Sequence, residues 1–119
     1  MGRGRGLVNL ICEYNDALSD PSRVKMMKIM GSNETNSVSV SNFADILGIS
    51  QPSATKHLKI LYAVDLITRK RVGSSVFYSL NLETIDEYHN LLETAFVKGF
   101  SPCPYRYRCD ECPETDTCI

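Results

Sequence analysis

Four of the five cysteines fall within residues 103–119 of this 119-residue chain. Cys103 and Cys109 frame one C-P-x4-C segment, and Cys112 and Cys118 frame a second. Asp110 and Glu111 join the two, so the centre also reads C-x2-C. Thiolates bind soft or borderline ions such as zinc, and four of them close a tetrahedral site. Four thiolates equally suit an iron–sulfur cluster. Oxidation to two small disulfide loops is the other chemistry open to them. Without a cross-link so short and polar a tail has little surface to bury. The fifth, Cys12, sits in an apolar helical pattern, where a lone cysteine usually acts as a small buried hydrophobe. Joining a tail site is its alternative.

A second group of residues is basic and polar. Between Ser50 and Val72 lie Lys56, Lys59, Arg69, Lys70 and Arg71 against one acid, Asp65, a local balance of +4 in a chain of formal net charge −1. Local charge of this kind is the electrostatic footprint of nucleic-acid binding, which depends on where charge lies rather than on its total. Ala54, Leu58 and Leu61 recur at i, i+4 and i+7, so one stripe of a helix beginning at Ser50 faces a core. Thr55, Lys56 and Lys59 then face outward, with Ser53 at the edge. Small polar and basic residues near a helix start are what a major groove accepts. Gln51 and Thr55 are the expected readers of base edges, and Lys56 and Lys59 the phosphate contacts. His57 borders this face, its wheel position turned to the core rim, and suits packing or a backbone contact as well as DNA.

The elements that must hold these residues follow from local signals. Ser50 can cap the helix, and Pro52 tolerates its first turn. A preceding helix, Ser41 to Leu47, carries Phe43, Ala44, Ile46 and Leu47 and ends at Gly48, which supplies a left-handed cap. After Leu66 and Ile67 the cations Arg69, Lys70 and Arg71 lead to a Gly73-Ser74 turn. Val76, Phe77 and Tyr78 return the chain as a strand, giving a basic hairpin that flanks the helix with phosphate contacts. Upstream, Leu7 to Leu18 is amphipathic at helical spacing. Asp20 and Pro21 open the next helix, from which Val24, Met27, Ile29 and Met30 are expected inward and which Gly31 is expected to end. Ser32 to Ser39 is a polar loop, with Val38 and Val40 expected in a short strand beside the hairpin. Leu82 to Gly99 is the last helix, with Ile85, Leu91, Leu92, Ala95 and Phe96 on its apolar face.

Residues 18–80 resemble the winged helix-turn-helix of ArsR-type repressors. The likeness rests on LSDPSRVKMMKIM, ISQPSATKHLKIL and LITRKRVGSSVFYSL, in that order and spacing. It implies a mainly α fold of about five helices with a two-stranded β-wing. It also implies a homodimer through the first and last helices, which would place two recognition helices about 34 Å apart on an inverted repeat of double-stranded DNA. Asp65 stands where such proteins often have Gly, and Asp tolerates the left-handed conformation better than most residues. Two of the family's usual metal sites lack their ligands. Residues 39–45 read SVSNFAD with no C-x-C. The last helix offers Asp86, His89 and Glu93 with a single histidine, so that run reads as a solvated face.

Length and composition set the remaining bounds. The chain makes one compact domain, with 43% hydrophobic and 23% charged residues. No apolar run approaches the roughly 18 residues that span a bilayer. Leu7 to Cys12 is too short for a signal-peptide core, so a cytoplasmic protein without a membrane partner is expected. No Gly-rich phosphate loop is present, and no nucleophile motif surrounds His57 or His89, so no enzyme is expected. The division expected is 1–100 for DNA binding and dimerisation and 101–119 for the cysteine-rich tail. The function expected is a DNA-binding transcriptional repressor whose affinity is controlled by metal, cluster or thiol chemistry at Cys103, Cys109, Cys112 and Cys118. The alternative from another class is a metal- or redox-buffering protein that uses its winged helix for assembly.

Overall fold

The structure is a computed structural model that describes residues 6–33, 37–98 and 106. The four tail cysteines lie outside the described residues. Among the described residues five α-helices and three strands follow one another: α1 (Leu7–Ala17), α2 (Pro21–Ser32), β1 (Val38–Ser39), α3 (Val40–Leu47), α4 (Gln51–Ala63), β2 (Ile67–Val72), β3 (Ser75–Leu80) and α5 (Leu82–Glu93). A π-helical stretch, Thr94–Lys98, continues α5.

Every described α-helix start but that of α1, which follows Gly6, is capped by a side chain. Asp20, Ser39, Ser50 and Asn81 each stand just before a helix and accept a hydrogen bond from a first-turn N–H. The two ends that matter for α3 and α4 are built alike. Ile49 N–H donates to Ala44 C=O (3.1 Å) and Gly48 N–H to Asp45 C=O (3.3 Å). One helix later, Leu66 N–H donates to Leu61 C=O (3.2 Å) and Asp65 N–H to Tyr62 C=O (3.0 Å). Each pair is a Schellman closure, which needs a left-handed residue at its centre. Gly48 (φ 68°) and Asp65 (φ 63°) occupy those positions, so the aspartate does take the backbone conformation that glycine would.

The core gathers Met26 and Met30 of α2, Val38, Phe43 of α3, Ala54, Leu58 and Leu61 of α4, and Leu66, Ile67 and Tyr78 of the hairpin. Full burial of each large apolar side chain contributes about 1.5–3 kcal/mol. On α2 the inward residues differ from expectation. Val24 is 40% exposed while Met26 is fully buried, and Met27 and Ile29 only flank the core. Nor does Gly31 end the helix, which runs to Ser32. A Cβ at Gly31 would stand 3.3 Å from Leu80 Cδ1, so glycine there serves a close pass of α2 over β3. Ile46 also points outward, at 61% exposure.

The sheet is antiparallel in the order β1-β3-β2. The expected two-stranded wing is thus rooted by a third strand. Val38 pairs with Tyr78 and Ser39 with Phe77, and Val40 begins α3 instead of extending the strand. Gly73 alone has positive φ at the two-residue turn (63°), as a type II′ hairpin requires. α1 packs on α5 through Tyr14 and Tyr88, whose rings meet edge-on at 5.4 Å. Tyr88 also donates its hydroxyl to Asn15 Oδ1 (2.5 Å).

Candidate nucleic-acid interface

Three fully buried side chains, Ala54, Leu58 and Leu61, seat α4 in the core. That leaves Gln51, Ser53, Lys56 and Lys59 exposed on the opposite side. Thr55 and His57 are half-buried shoulders on either side of Lys56. The edge expected at Ser53 therefore falls at Thr55, and Ser53 belongs to the open face. Ser53 is also part of the helix cap. Its N–H donates to Ser50 Oγ (3.2 Å), and the Ser50 hydroxyl donates to Ser53 Oγ (3.0 Å). The Ser53 hydroxyl proton remains available to an acceptor from outside.

The wing divides its three cations between two faces. Directly paired residues of an antiparallel ladder point to the same side. Arg69 pairs with Tyr78 and Arg71 with Val76, whereas Lys70 pairs with Phe77. Tyr78 is buried at 7% exposure, so Arg69 and Arg71 lie on the face toward the helices and Lys70 on the outer one. All three are exposed. The Arg69 guanidinium sits over the Tyr62 ring, its carbon 4.4 Å from the ring centre. This cation–π contact joins the last turn of α4 to the root of the wing. Helix and hairpin thus form one surface.

His57 is held from the other side. Arg23 of α2 donates from Nε to the Ala17 carbonyl (2.6 Å) and from Nη1 to His57 Nδ1 (3.0 Å). Asp20 lies close enough to feel both partners. Its carboxyl pKa is lowered from 3.8 chiefly by the hydrogen bond from Ser22 N–H, opposed by some desolvation and aided by His57 and Arg23. Arg23 and Tyr62 were not legible as members of this site. Arg23 is 34 residues from His57, and nothing in periodicity marks such a meeting.

Other sequence-derived candidates are dispersed. Asp86, His89 and Glu93 are exposed on α5. Among the described residues no three of His, Cys, Asp and Glu gather to hold an ion. Cys12 is exposed in the single chain, against the expectation of a buried hydrophobe. It falls one helical turn from Val8, itself 47% exposed. Among the described residues no helix is long and apolar enough to cross a membrane.

Comparison with known proteins bears on the same segments. A family model described as "Helix-turn-helix domain" matches residues 18–70. The transcriptional repressor SdpR of Bacillus subtilis is 30% identical over 83 residues, covering 70% of this chain and 89% of that protein. A transcriptional repressor SmtB homolog of Synechocystis is 33% identical over 70 residues, covering 59% of this chain and 51% of that protein. Among solved structures, an ArsR-like transcriptional regulator from Rhodococcus superposes with a TM-score of 0.66 at 25% identity, covering 75% of this chain and 81% of that one. Reduced HlyU from Vibrio cholerae shares the fold, with a TM-score of 0.58 at 20% identity, covering 74% of this chain and 90% of that one.

Proposed function

The chain belongs to the ArsR-type winged helix-turn-helix transcriptional regulators and binds DNA as they do, and from that premise we propose that it is a repressor that reads an inverted-repeat operator as a homodimer. The observation that carries the reading is the two-sidedness of α4. Its Ala54–Leu58–Leu61 stripe is wholly buried, and its outward side carries Gln51, Ser53, Lys56 and Lys59, with one exposed apolar residue, Ile60, and is joined to a basic wing. Gln51, Ser53 and Thr55 offer short polar groups to base edges in the major groove. Lys56, Lys59, Arg69, Lys70 and Arg71 supply phosphate contacts that set register. His57 stands at the rim of this surface.

Dimerisation through α1 and α5 is supported by exposed apolar side chains on these helices and their continuation. Val8, Leu82, Phe96 and Val97 are 47–66% exposed in the single chain, and a second copy would cover them. The protein works in the cytoplasm, where thiols stay reduced and the cysteines are open to metal or redox chemistry. Cys103, Cys109, Cys112 and Cys118 are the donor set for an effector, zinc or an iron–sulfur cluster, or for a thiol–disulfide switch. Their support is spacing alone. Ordering of the tail by a cross-link would bias the helix that precedes it in the chain, and such couplings change affinity by about 5- to 150-fold.

Electrophoretic shift with genomic fragments tests the DNA reading. Binding should weaken steeply with salt and be lost on replacing Lys56 and Lys59 with glutamine. No shift on any fragment at low salt would sink it. Truncation after Phe100 tests the tail. A truncated protein that dimerises, binds DNA and still answers the same metal or oxidant removes the cysteines from the mechanism.

A further inference from the structure

We infer that Arg23, which lies outside the recognition helix, is a positioning residue for DNA binding: it holds α4 at a fixed roll about its axis through His57 and fixes which nitrogen of that ring carries the proton. The inference rests on the DNA-binding reading and deepens it.

The geometry assigns the protonation without a choice. A guanidinium has only donors and does not lose its proton. At 3.0 Å from Arg23 Nη1, His57 Nδ1 must therefore accept. The neutral ring then carries its hydrogen on Nε2, across the ring from α2. Among the described residues Nε2 has no hydrogen-bond partner. It is a donor on the shoulder of the surface that holds Lys56, and it suits a phosphate oxygen of the DNA backbone.

Arg23 is itself held. Its Nε donates to the carbonyl of Ala17 at 2.6 Å. Ala17 is the last residue of α1, so this carbonyl is one of those left without a partner inside the helix. Asp20, at the cap of α2, adds a carboxylate beside both Arg23 and His57. One guanidinium thus joins the end of α1, the first turn of α2 and the middle of α4.

Packing alone would not give this control. The buried stripe of α4 sets how deep the helix sits, but apolar contact is non-directional, and Ala54 at one end of the stripe is small. A hydrogen bond on the shoulder is directional and fixes rotation. A few degrees of roll would turn Gln51, Ser53 and Lys56 relative to a groove.

Two measurements test the inference. Long-range proton–nitrogen NMR of the unmodified full chain near pH 8 should show His57 with its proton on Nε2; a proton on Nδ1 overturns it and requires no variant to fold. A double-mutant cycle of Arg23→Met and His57→Ala is then read in DNA affinity, with melting temperature followed alongside. Each single change should weaken binding by about 5- to 20-fold, and the double change should be no worse than the poorer single, as for coupled neighbours. Losses that multiply, or an Arg23→Met protein that melts earlier yet binds as before, would leave Arg23 a purely structural residue and overturn the inference. Binding by the unmodified chain at low salt is the control that separates failure here from failure of the DNA-binding reading.

Discussion

The Arg69 guanidinium carbon lies 4.4 Å from the centre of the Tyr62 ring, so the first cation of the wing rests on the last turn of the recognition helix. The pair sits at an exposed site, Tyr62 being 38% exposed, where such contacts contribute about 0.5–1 kcal/mol. Tyr62→Leu keeps an apolar body and removes the π face. It should lower stability by about that amount in urea unfolding, and DNA binding should fall because the wing is less firmly placed. An unchanged unfolding midpoint would show that the stacking contributes nothing.

The two faces of the wing should behave differently in salt titrations. Arg71 shares the helix-side face and Lys70 occupies the other. Arg71→Gln is expected to reduce the slope of log affinity against log salt by about one unit, with sequence preference unchanged. Lys70→Gln should reduce it less. Equal losses would mean that the hairpin meets DNA edge-on, with both faces in reach of phosphate.

Asp65 holds a left-handed backbone, a conformation that costs an L-residue roughly 1–2 kcal/mol and glycine almost nothing. Asp65→Gly should therefore leave stability equal or slightly higher, whereas Asp65→Val should lower it by at least about 1 kcal/mol. The check is the melting temperature of the two variants beside the unmodified protein. A valine variant as stable as the glycine one would contradict the Schellman closure at this end of α4.

Asp20 gives a pH signature. Its pKa is lowered from 3.8 in the fold, so ionised Asp20 stabilises the folded chain. That contribution is fully present above the unfolded value and is lost as pH falls through the lower folded one. Asp20→Asn keeps the capping oxygen and removes the charge. The variant should melt below the unmodified protein at neutral pH, and the gap should close as pH falls below the ordinary carboxylate value and through the lowered folded one. A gap that persists unchanged in acid would show that the charge plays no part.

What the sequence made legible was local chemistry. Ser50, Gly48 and the Ala54–Leu58–Leu61 stripe located α4 because caps and stripes act within a turn or two of themselves. Asp65 was legible for the same reason. α2 was misread because apolar residues at 24, 26, 27, 29 and 30 leave no single stripe. Only its packing on the sheet selects Met26 and Met30, and the close pass of Gly31 beside Leu80 is invisible before the two meet. Arg23 with His57 and Tyr62 with Arg69 were hidden because side chains from different elements find one another only after folding. Pairing of Lys70 away from Arg69 and Arg71 could have been anticipated, since neighbours on a strand alternate faces. A run of like charges nevertheless reads as one block until the strand is drawn.

The short third strand gives the wing the mechanics of a cantilever. β1 reaches only Tyr78 and Phe77, so the beam is built in at its root and projects as a slender ribbon from Arg71 to Val76. Two-stranded ribbons twist more readily than wider sheets. A DNA backbone standing nearer or farther than the unloaded tip would deflect the ribbon, and the bending moment would be taken up at the root, where β1 pairs with β3 and Arg69 rests on Tyr62. On the reading that the wing meets DNA, a groove of changing width would be met by bending of the tip, and α4 would keep its seat in the core.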